Sequence, residues 1–410
     1  MPHNKAIAMH PDFDRLPIRR HTDSLKWHRY GDALPLWVAD MDFPAPEPVL
    51  AALHERVAQG VFGYGAPPDK LSEVLCARMA DRYRWAVVPE QIVYLPGLVC
   101  GLNIACRAVG EPGDEVLVQT PVYPPFLSAP EHQERRLVTA ELSTELYDGR
   151  LYYTFDDDAF AAAMSPRTRL FILCNPHNPI GRVFTVNELT RLAAHCERHD
   201  LTICSDEIHC DLLLDGRQHT PLAALNPDIA WRCITLMAPS KTFNIPGLGA
   251  SFAIIQNPQL RRRFKQALRG IVPDVNVLGL TAALAAYQHG DEWLQSLLRY
   301  LTANRDYVVN FALQHLPGVR VTVPEATYLA WLDCWGTAIP GNPHEFFLQN
   351  AGVALNDGAA FGPGGEQCVR LNFGCPQALL AEALECMQGA MADLPLPAFE
   401  EEDAWPQSLN

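Results

Sequence analysis

None of the chain's 12 cysteines belongs to a CxxC pair, and none stands in a Cys/His spacing that would hold zinc. They fall largely in apolar stretches, beginning with Cys76, Cys100 and Cys106, where cysteine behaves as a small buried hydrophobe. A basic-then-apolar leader is also absent. Pro2, Asp12, Asp14 and Pro17 interrupt residues 1–20, which argues against secretion. Residues 242–260, the longest uncharged stretch of interest, are broken by Pro246, Gly247, Gly249, Asn257 and Pro258 and cannot form a spanning helix. Positive charge is scarce: 32 Lys+Arg stand against 47 Asp+Glu, a formal net charge of −15. Neutralising a phosphate backbone needs a basic face, so this balance argues against nucleic-acid binding. The one dense basic run, Arg261, Arg262, Arg263 and Lys265, reads as the solvated face of a helix. There is no internal repeat and no low-complexity segment. The expectation is a soluble, reduced, cytoplasmic protein with no nucleic-acid, membrane or metal partner.

What is present can build a core. The chain has 410 residues, 48% of them hydrophobic, enough for one large domain or two ordinary ones. Six short apolar runs, at 91–95, 115–119, 169–174, 202–205, 233–237 and 251–255, read as buried strands bounded by Pro, Gly, Asn or Asp. Helical patterns lie between them. Thr185-Val-Asn-Glu188 reads as a capping box opening a helix towards His199, with Leu189, Leu192, Ala193 and Cys196 on one face. Such alternation predicts an α/β fold, a mostly parallel sheet covered by helices on both sides. Beyond Asp291 a helical pattern at 293–315 leads into strand-like runs at 319–323 and 328–333. The expected organisation is a large domain at 46–290, a smaller α+β domain from 1–45 and 291–394, and an acidic tail at 395–410.

Sites in open parallel sheets lie outside the carboxyl ends of the strands, so the residues after each predicted strand matter. Asn175-Pro-His-Asn-Pro-Ile-Gly181 follows one, Asp206-Glu-Ile-His209 another, Ala238-Pro-Ser-Lys-Thr242 a third, and Pro96-Gly-Leu-Val-Cys100 a fourth, opening a helix. An amide, a carboxylate, a lysine and a helix start thus converge on one edge. That set suits pyridoxal 5′-phosphate: an amine to condense with the aldehyde, a carboxylate for the ring nitrogen, a helix N-terminus for the phosphate. Singly, each signal has an ordinary structural reading. The lysine could be a surface residue, the aspartate a helix cap, and Asn-Pro-x-Asn-Pro a turn.

Seven motifs carry a closer likeness: Ser24-Leu-Lys-Trp27, Pro35-Leu-Trp-Val-Ala-Asp-Met-Asp-Phe43, Phe62-Gly-Tyr64, Asn175–Gly181, Ser205–His209, Pro239-Ser-Lys-Thr-Phe-Asn244 and Val369-Arg-Leu-Asn-Phe373. Over roughly residues 24–394 the sequence resembles the fold-type I pyridoxal-phosphate enzymes of the aminotransferase class I/II superfamily, and within them the MalY/PatB group of cystathionine β-lyases. The resemblance implies a fold, a cofactor and a set of roles. Lys241 would join the cofactor aldehyde and act as base at the substrate Cα. Asp206 would pair with the ring nitrogen, Asn178 with the ring oxygen, and Tyr123 would stack on the ring. Leu98, Val99 and Cys100 would offer backbone N–H groups to the phosphate, and Ser240 a hydroxyl. Tyr64 would reach the phosphate of a neighbouring subunit in a homodimer. Arg370 would grip the substrate carboxylate as a two-pronged fork, with Ala39 beside it.

Local context leaves other readings open. Tyr123 could serve loop packing, Arg370 could be half of a structural ion pair, and Tyr64, between two glycines, could be a turn residue. Cys100 at a helix start could have a lowered thiol pKa. Two positions depart from the aminotransferase pattern: His209 stands where many have tyrosine, and Gly249 where many have a phosphate-binding arginine. The resemblance implies carbon–sulfur β-elimination on S-substituted L-cysteines. An aminotransferase is the sibling alternative, and some members of the lyase group also bind a regulatory protein, for which this sequence offers no recognisable surface.

Overall fold

The computed structural model describes residues 11–15, 17 and 19–395. Beyond Pro395 the expected acidic tail lies outside the described residues. The apolar runs form a seven-stranded sheet in the order Ile92–Leu95, Ser251–Ile254, Cys233–Met237, Thr202–Asp206, Thr168–Cys174, Glu115–Thr120 and Arg136–Glu141. All neighbours are parallel except Ser251–Ile254, which runs against both of its partners. Every residue of Cys233–Met237 and Glu115–Thr120 is buried. A strand buried on both faces must read as continuous Val, Ile, Leu and Phe, which is why these runs are visible in the sequence.

The helix predicted from Thr185 spans Val186–Arg198, with Leu189, Leu192, Ala193 and Cys196 buried. Its capping box is made: the Thr185 hydroxyl accepts from the Glu188 N–H at 3.2 Å, and the Glu188 carboxylate accepts from the Thr185 N–H at 2.7 Å. The basic run lies on the helix Pro258–Leu268, where Arg262, Arg263 and Lys265 are exposed and Phe264 faces the core. All 12 cysteines are free, nine of them buried. No helix of the described residues is long and apolar enough to cross a membrane.

A second, six-stranded sheet has the order Asn356–Asp357, Cys368–Asn372, Leu329–Asp333, Arg320–Thr322, Arg150–Thr154 and Ser143–Tyr147. The hairpin of 143–154 is a departure from the sequence reading, which assigned 46–290 to the large domain throughout. Arg150–Thr154 pairs in parallel with Arg320–Thr322, so this hairpin completes the second sheet rather than the first. The helix Asp291–His315 carries a buried face that includes Leu294, Leu297, Leu301 and Val308. The N-terminal segment packs on it: Phe13 meets Trp293 at 5.7 Å between ring centroids, and Leu34–Pro35 pairs with Val353–Ala354.

Gly181, the end of the Asn-Pro motif, shows how the two sheets meet. Its φ is +74°, and its carbonyl accepts from the N–H groups of Glu325 and Ala326. A Cβ there would lie 2.8 Å from the Cα of Pro324. Gly181→Ala is therefore expected to cost about 2 kcal/mol or more, from left-handed strain plus a backbone clash. The midpoint of denaturant unfolding measures it.

Candidate active site

Four adjacent parallel strands end at the same edge, and their following residues meet there. Lys241 follows Cys233–Met237, Asp206 ends Thr202–Asp206, Asn178 follows Thr168–Cys174, and Tyr123 follows Glu115–Thr120. The loops are cross-linked. The Tyr123 N–H donates to the Asn178 carbonyl at 3.1 Å, and the His177 Nε2 lies 2.9 Å from the Pro121 carbonyl. Glu207, next to Asp206, turns the other way, into a buried pair with His219 at 2.7 Å.

Above this edge lies a strap, residues 37–43, the Trp-Val-Ala-Asp-Met-Asp-Phe motif. Lys26 and Asp42, both fully buried, pair at 2.7 Å, and the Trp27 indole N–H donates to Asp42 at 2.8 Å. That pairing explains why the Ser-Leu-Lys-Trp and Asp-Met-Asp motifs occur together. The Asn244 side chain donates to the carbonyls of Met41 and Phe43 and accepts from the Met41 N–H. Asn372 likewise donates to the carbonyls of Val38 and Asp40, each at 2.7 Å.

The Lys241 amine lies 2.6 Å from the Ala39 carbonyl. Loss of water around it lowers its pKa to about 8, assisted by Arg370 and opposed by Asp40 and Asp206. Burial pushes the Asp206 carboxyl up to about 7, against the pull of the Ile208 N–H. A cation opposite it, such as a protonated ring nitrogen, would hold it ionised. Burial first, then Lys241 and Arg370, holds the His209 imidazole down at about 3, so it stays neutral. Burial raises the Tyr123 phenol.

Arg370 is buried, and its fork is held from behind. One terminal nitrogen donates to Asn178 Oδ1 at 2.9 Å, the other to the Trp37 carbonyl at 3.0 Å and to Asn356 Oδ1. Among the described residues no carboxylate pairs with it, and its Nε has no hydrogen-bond partner. Burial lowers its pKa to about 10. A buried guanidinium without a counter-charge is costly, and an incoming anion removes that cost. The ion-pair alternative for Arg370 therefore fails within this chain.

At the same edge, Gly97 caps the 11-residue helix Leu98–Ala108. The N–H groups of Leu98, Val99 and Cys100 find no acceptor among the described residues, which leaves three donors for an anion. Gly249 sits against this loop, at φ +57°, where a Cβ would lie 3.0 Å from the Pro96 carbonyl. Burial raises the Cys100 thiol pKa, the reverse of the lowering a helix start alone would give. Ser240 is partly exposed beside Lys241. Tyr64, fully exposed on the loop after the helix Glu47–Ala58, is not brought to this chain's site. A primary amine, an unpaired guanidinium, a helix start and a carboxylate fit an anionic aldehyde cofactor and a substrate carboxylate.

Sequence reasoning gave no role to Asn244 and Asn372, although both lie in the quoted motifs. Nor did it find Asn356 or Tyr328. The last two come from the second sheet, Asn356 from the strand paired with that of Arg370, and no local pattern announces their contacts.

The family model described as aminotransferase class I and II matches residues 32–387. Cystathionine beta-lyase PatB of Bacillus subtilis (strain 168) is 41% identical over 93% of this chain and 100% of its own length. The solved structure of OvoB is 46% identical, with a TM-score of 0.88 over 93% of this chain and 99% of that one. Cystalysin of Treponema denticola, whose structure contains a pyridoxal 5′-phosphate cofactor, is 32% identical, with a TM-score of 0.89 over 94% and 100% of the two chains.

Proposed function

The chain belongs to the aminotransferase class I and II family, and on that premise we propose that it is a pyridoxal-phosphate-dependent carbon–sulfur β-lyase. With one molecule of water, it cleaves L-cystathionine or another S-substituted L-cysteine to a thiol, pyruvate and ammonia. The observation that carries this reading is the buried, carboxylate-free guanidinium of Arg370 facing an amine of lowered pKa on Lys241.

When bound, the cofactor supplies an aldehyde for the substrate amine and a protonated ring that accepts the electron pair left at Cα. The chain's residues do the rest. Leu98, Val99 and Cys100 would hold the phosphate by backbone N–H groups, and Ser240 would add a hydroxyl. Asp206 would keep the ring nitrogen protonated, Asn178 would offer its side-chain amide to the ring oxygen, Tyr123 would pack on the ring, and His209 would line the site as a neutral group. Arg370 holds the substrate carboxylate, which fixes the Cα–H bond against Lys241. Lys241, as the free amine, takes the Cα proton, and the sulfur then leaves as a thiolate.

The pH dependence follows from the charge on that amine. Only the neutral form can accept a proton, so kcat should rise with pH through about 8 and fall about ten-fold per unit below it. An ordinary lysine near 10.4 would place that limb about two units higher. A pH profile of kcat measures it.

A homodimer and a cytoplasmic location belong to the same proposal, supported by the exposed Val61, Phe62 and Tyr64 and by 12 cysteines without a disulfide. Tyr64 would serve the neighbouring site. Mixing inactive Tyr64→Ala and Lys241→Ala subunits should then regain activity, because one hybrid site receives both intact side chains. If Tyr64 acts within its own subunit, no hybrid site is complete and the mixture stays inactive. Supplying purified enzyme with cystathionine alone tests the reaction. Sustained release of pyruvate and thiol supports the lyase, whereas turnover that stalls until a keto acid is added would make it an aminotransferase.

A further inference from the structure

We propose that Tyr328 is a positioning residue for the Lys241 amine, acting through the main-chain carbonyl of Ala39, which the two side chains share as acceptor. The Lys241 Nζ lies 2.6 Å from that oxygen and the Tyr328 hydroxyl donates to it at 2.9 Å. The inference rests on the proton-carrying role of Lys241 given above. It adds a device that sets where the amine waits and how readily it ionises.

The shared oxygen is a fixed point. Asn372 holds the carbonyls of Val38 and Asp40 on either side of it, and Asn244 holds Met41 by two hydrogen bonds. Tyr328 is completely buried, immediately before the strand Leu329–Asp333 of the second sheet. Lys241 comes from the edge of the first sheet, so the Ala39 carbonyl ties the strap and both sheets together at the reacting centre. In this structure the carbonyl is the amine's hydrogen-bond partner.

The hydroxyl also bears on the amine's charge. Burial raises the Tyr328 phenol well above its ordinary value, so it remains a donor throughout the working range. Two donors on one carbonyl oxygen divide its electron density, and each is held less strongly than it would be alone. With the hydroxyl removed, the oxygen serves the ammonium form of Lys241 by itself, and a stronger acceptor for the charged form raises its pKa. The other charged or titratable groups facing the amine are Arg370 from the second sheet, Asp40 from the strap, and Asp206 and His209 from the first sheet. Tyr328→Phe leaves all four side chains in place, though the Tyr328 hydroxyl itself also bears on Arg370 and Asp40.

The test uses full-length protein with Tyr328→Phe and two readouts. The chain has only five lysines, at 5, 26, 70, 241 and 265. Carbon-13 labelling at the lysine ε position therefore lets the Lys241 amine be titrated by NMR in the cofactor-free protein, its signal assigned by its loss in Lys241→Ala. The variant amine is expected to titrate about half to one unit above the wild type, and the acidic limb of kcat in the loaded enzyme to move up equally. That shift lowers kcat at pH 7 about 3- to 10-fold, with KM and the high-pH plateau unchanged.

A Lys241 titration that does not move overturns the proposal. So does a loss of kcat that is uniform across pH with the limb in place, which marks a purely structural tyrosine. A shifted titration with an unmoved limb supports the link from Tyr328 to the amine but contradicts Lys241 as the base that limits turnover. If the thermal melt shows that the phenylalanine variant does not fold, Tyr328→Met, which also lacks the hydroxyl and fills irregular space, carries the same expectation.

Discussion

Lys241→Ala is expected to lower kcat/KM for thiol release by at least about 10³-fold, because one substitution removes both the covalent anchor and the Cα base. The effect should fall on chemistry and not on folding. The amine makes a single hydrogen bond to the protein, to Ala39, and its pKa is lowered in the folded chain. A lowered lysine pKa means that the folded state disfavours the ammonium. Below about 8 that is a cost of folding, so its removal should leave stability unchanged or slightly improved. The melting temperature and the kinetic constants of the purified variant check both halves. A variant that keeps more than a tenth of wild-type kcat/KM would contradict the assignment.

Arg370→Ala should be the next most damaging change. It removes the fork that would hold the substrate carboxylate and takes away the donor to Asn178, Asn356 and the Trp37 carbonyl. Truncating one partner of a buried charge pair costs about 2–5 kcal/mol, or roughly 30- to several-thousand-fold in kcat/KM. Most of this should appear in KM, because the carboxylate is held in the ground state as well as in the transition state. Arg370→Lys should recover little, since a single ammonium cannot reproduce a planar fork held from behind by three acceptors. Steady-state kinetics with cystathionine separate the two constants. A KM within three-fold of wild type for Arg370→Ala would mean that the substrate carboxylate binds elsewhere.

The sequence reveals those parts whose physics is local. The buried parallel strands are continuous apolar runs, and the capping box at Thr185 is a four-residue signal. The residues after the strands could be assembled on one edge because a parallel sheet puts all its carboxyl ends there. The strands at the margins were not legible. Arg136–Glu141 and Ser143–Tyr147 are partly exposed and polar, and Arg150–Thr154, though Leu151 and Tyr153 alternate inward, is too short a run to stand out. The hairpin's pairing with the second sheet depends on Arg320–Thr322, more than 160 residues away in sequence.

The same division holds in the site. Asp206 and Lys241 are legible because each stands in a motif at a strand end. Tyr328 reaches the strap carbonyl of Ala39, and Asn356 reaches Arg370 from the neighbouring strand of the second sheet, contacts that only the folded chain brings about. The likeness to the β-lyases identified the strap motif. The structure supplies its physical reason, a buried Lys26–Asp42 pair and two asparagines that hold its carbonyls beside the Lys241 amine.

The account turns on which nitrogen carries the cofactor, and reduction of the loaded protein with borohydride, followed by peptide mass analysis, answers that directly. One pyridoxyl group per chain on the peptide containing Lys241 is the predicted result. The label on Lys5, Lys26, Lys70 or Lys265 instead, or on no lysine, would contradict it.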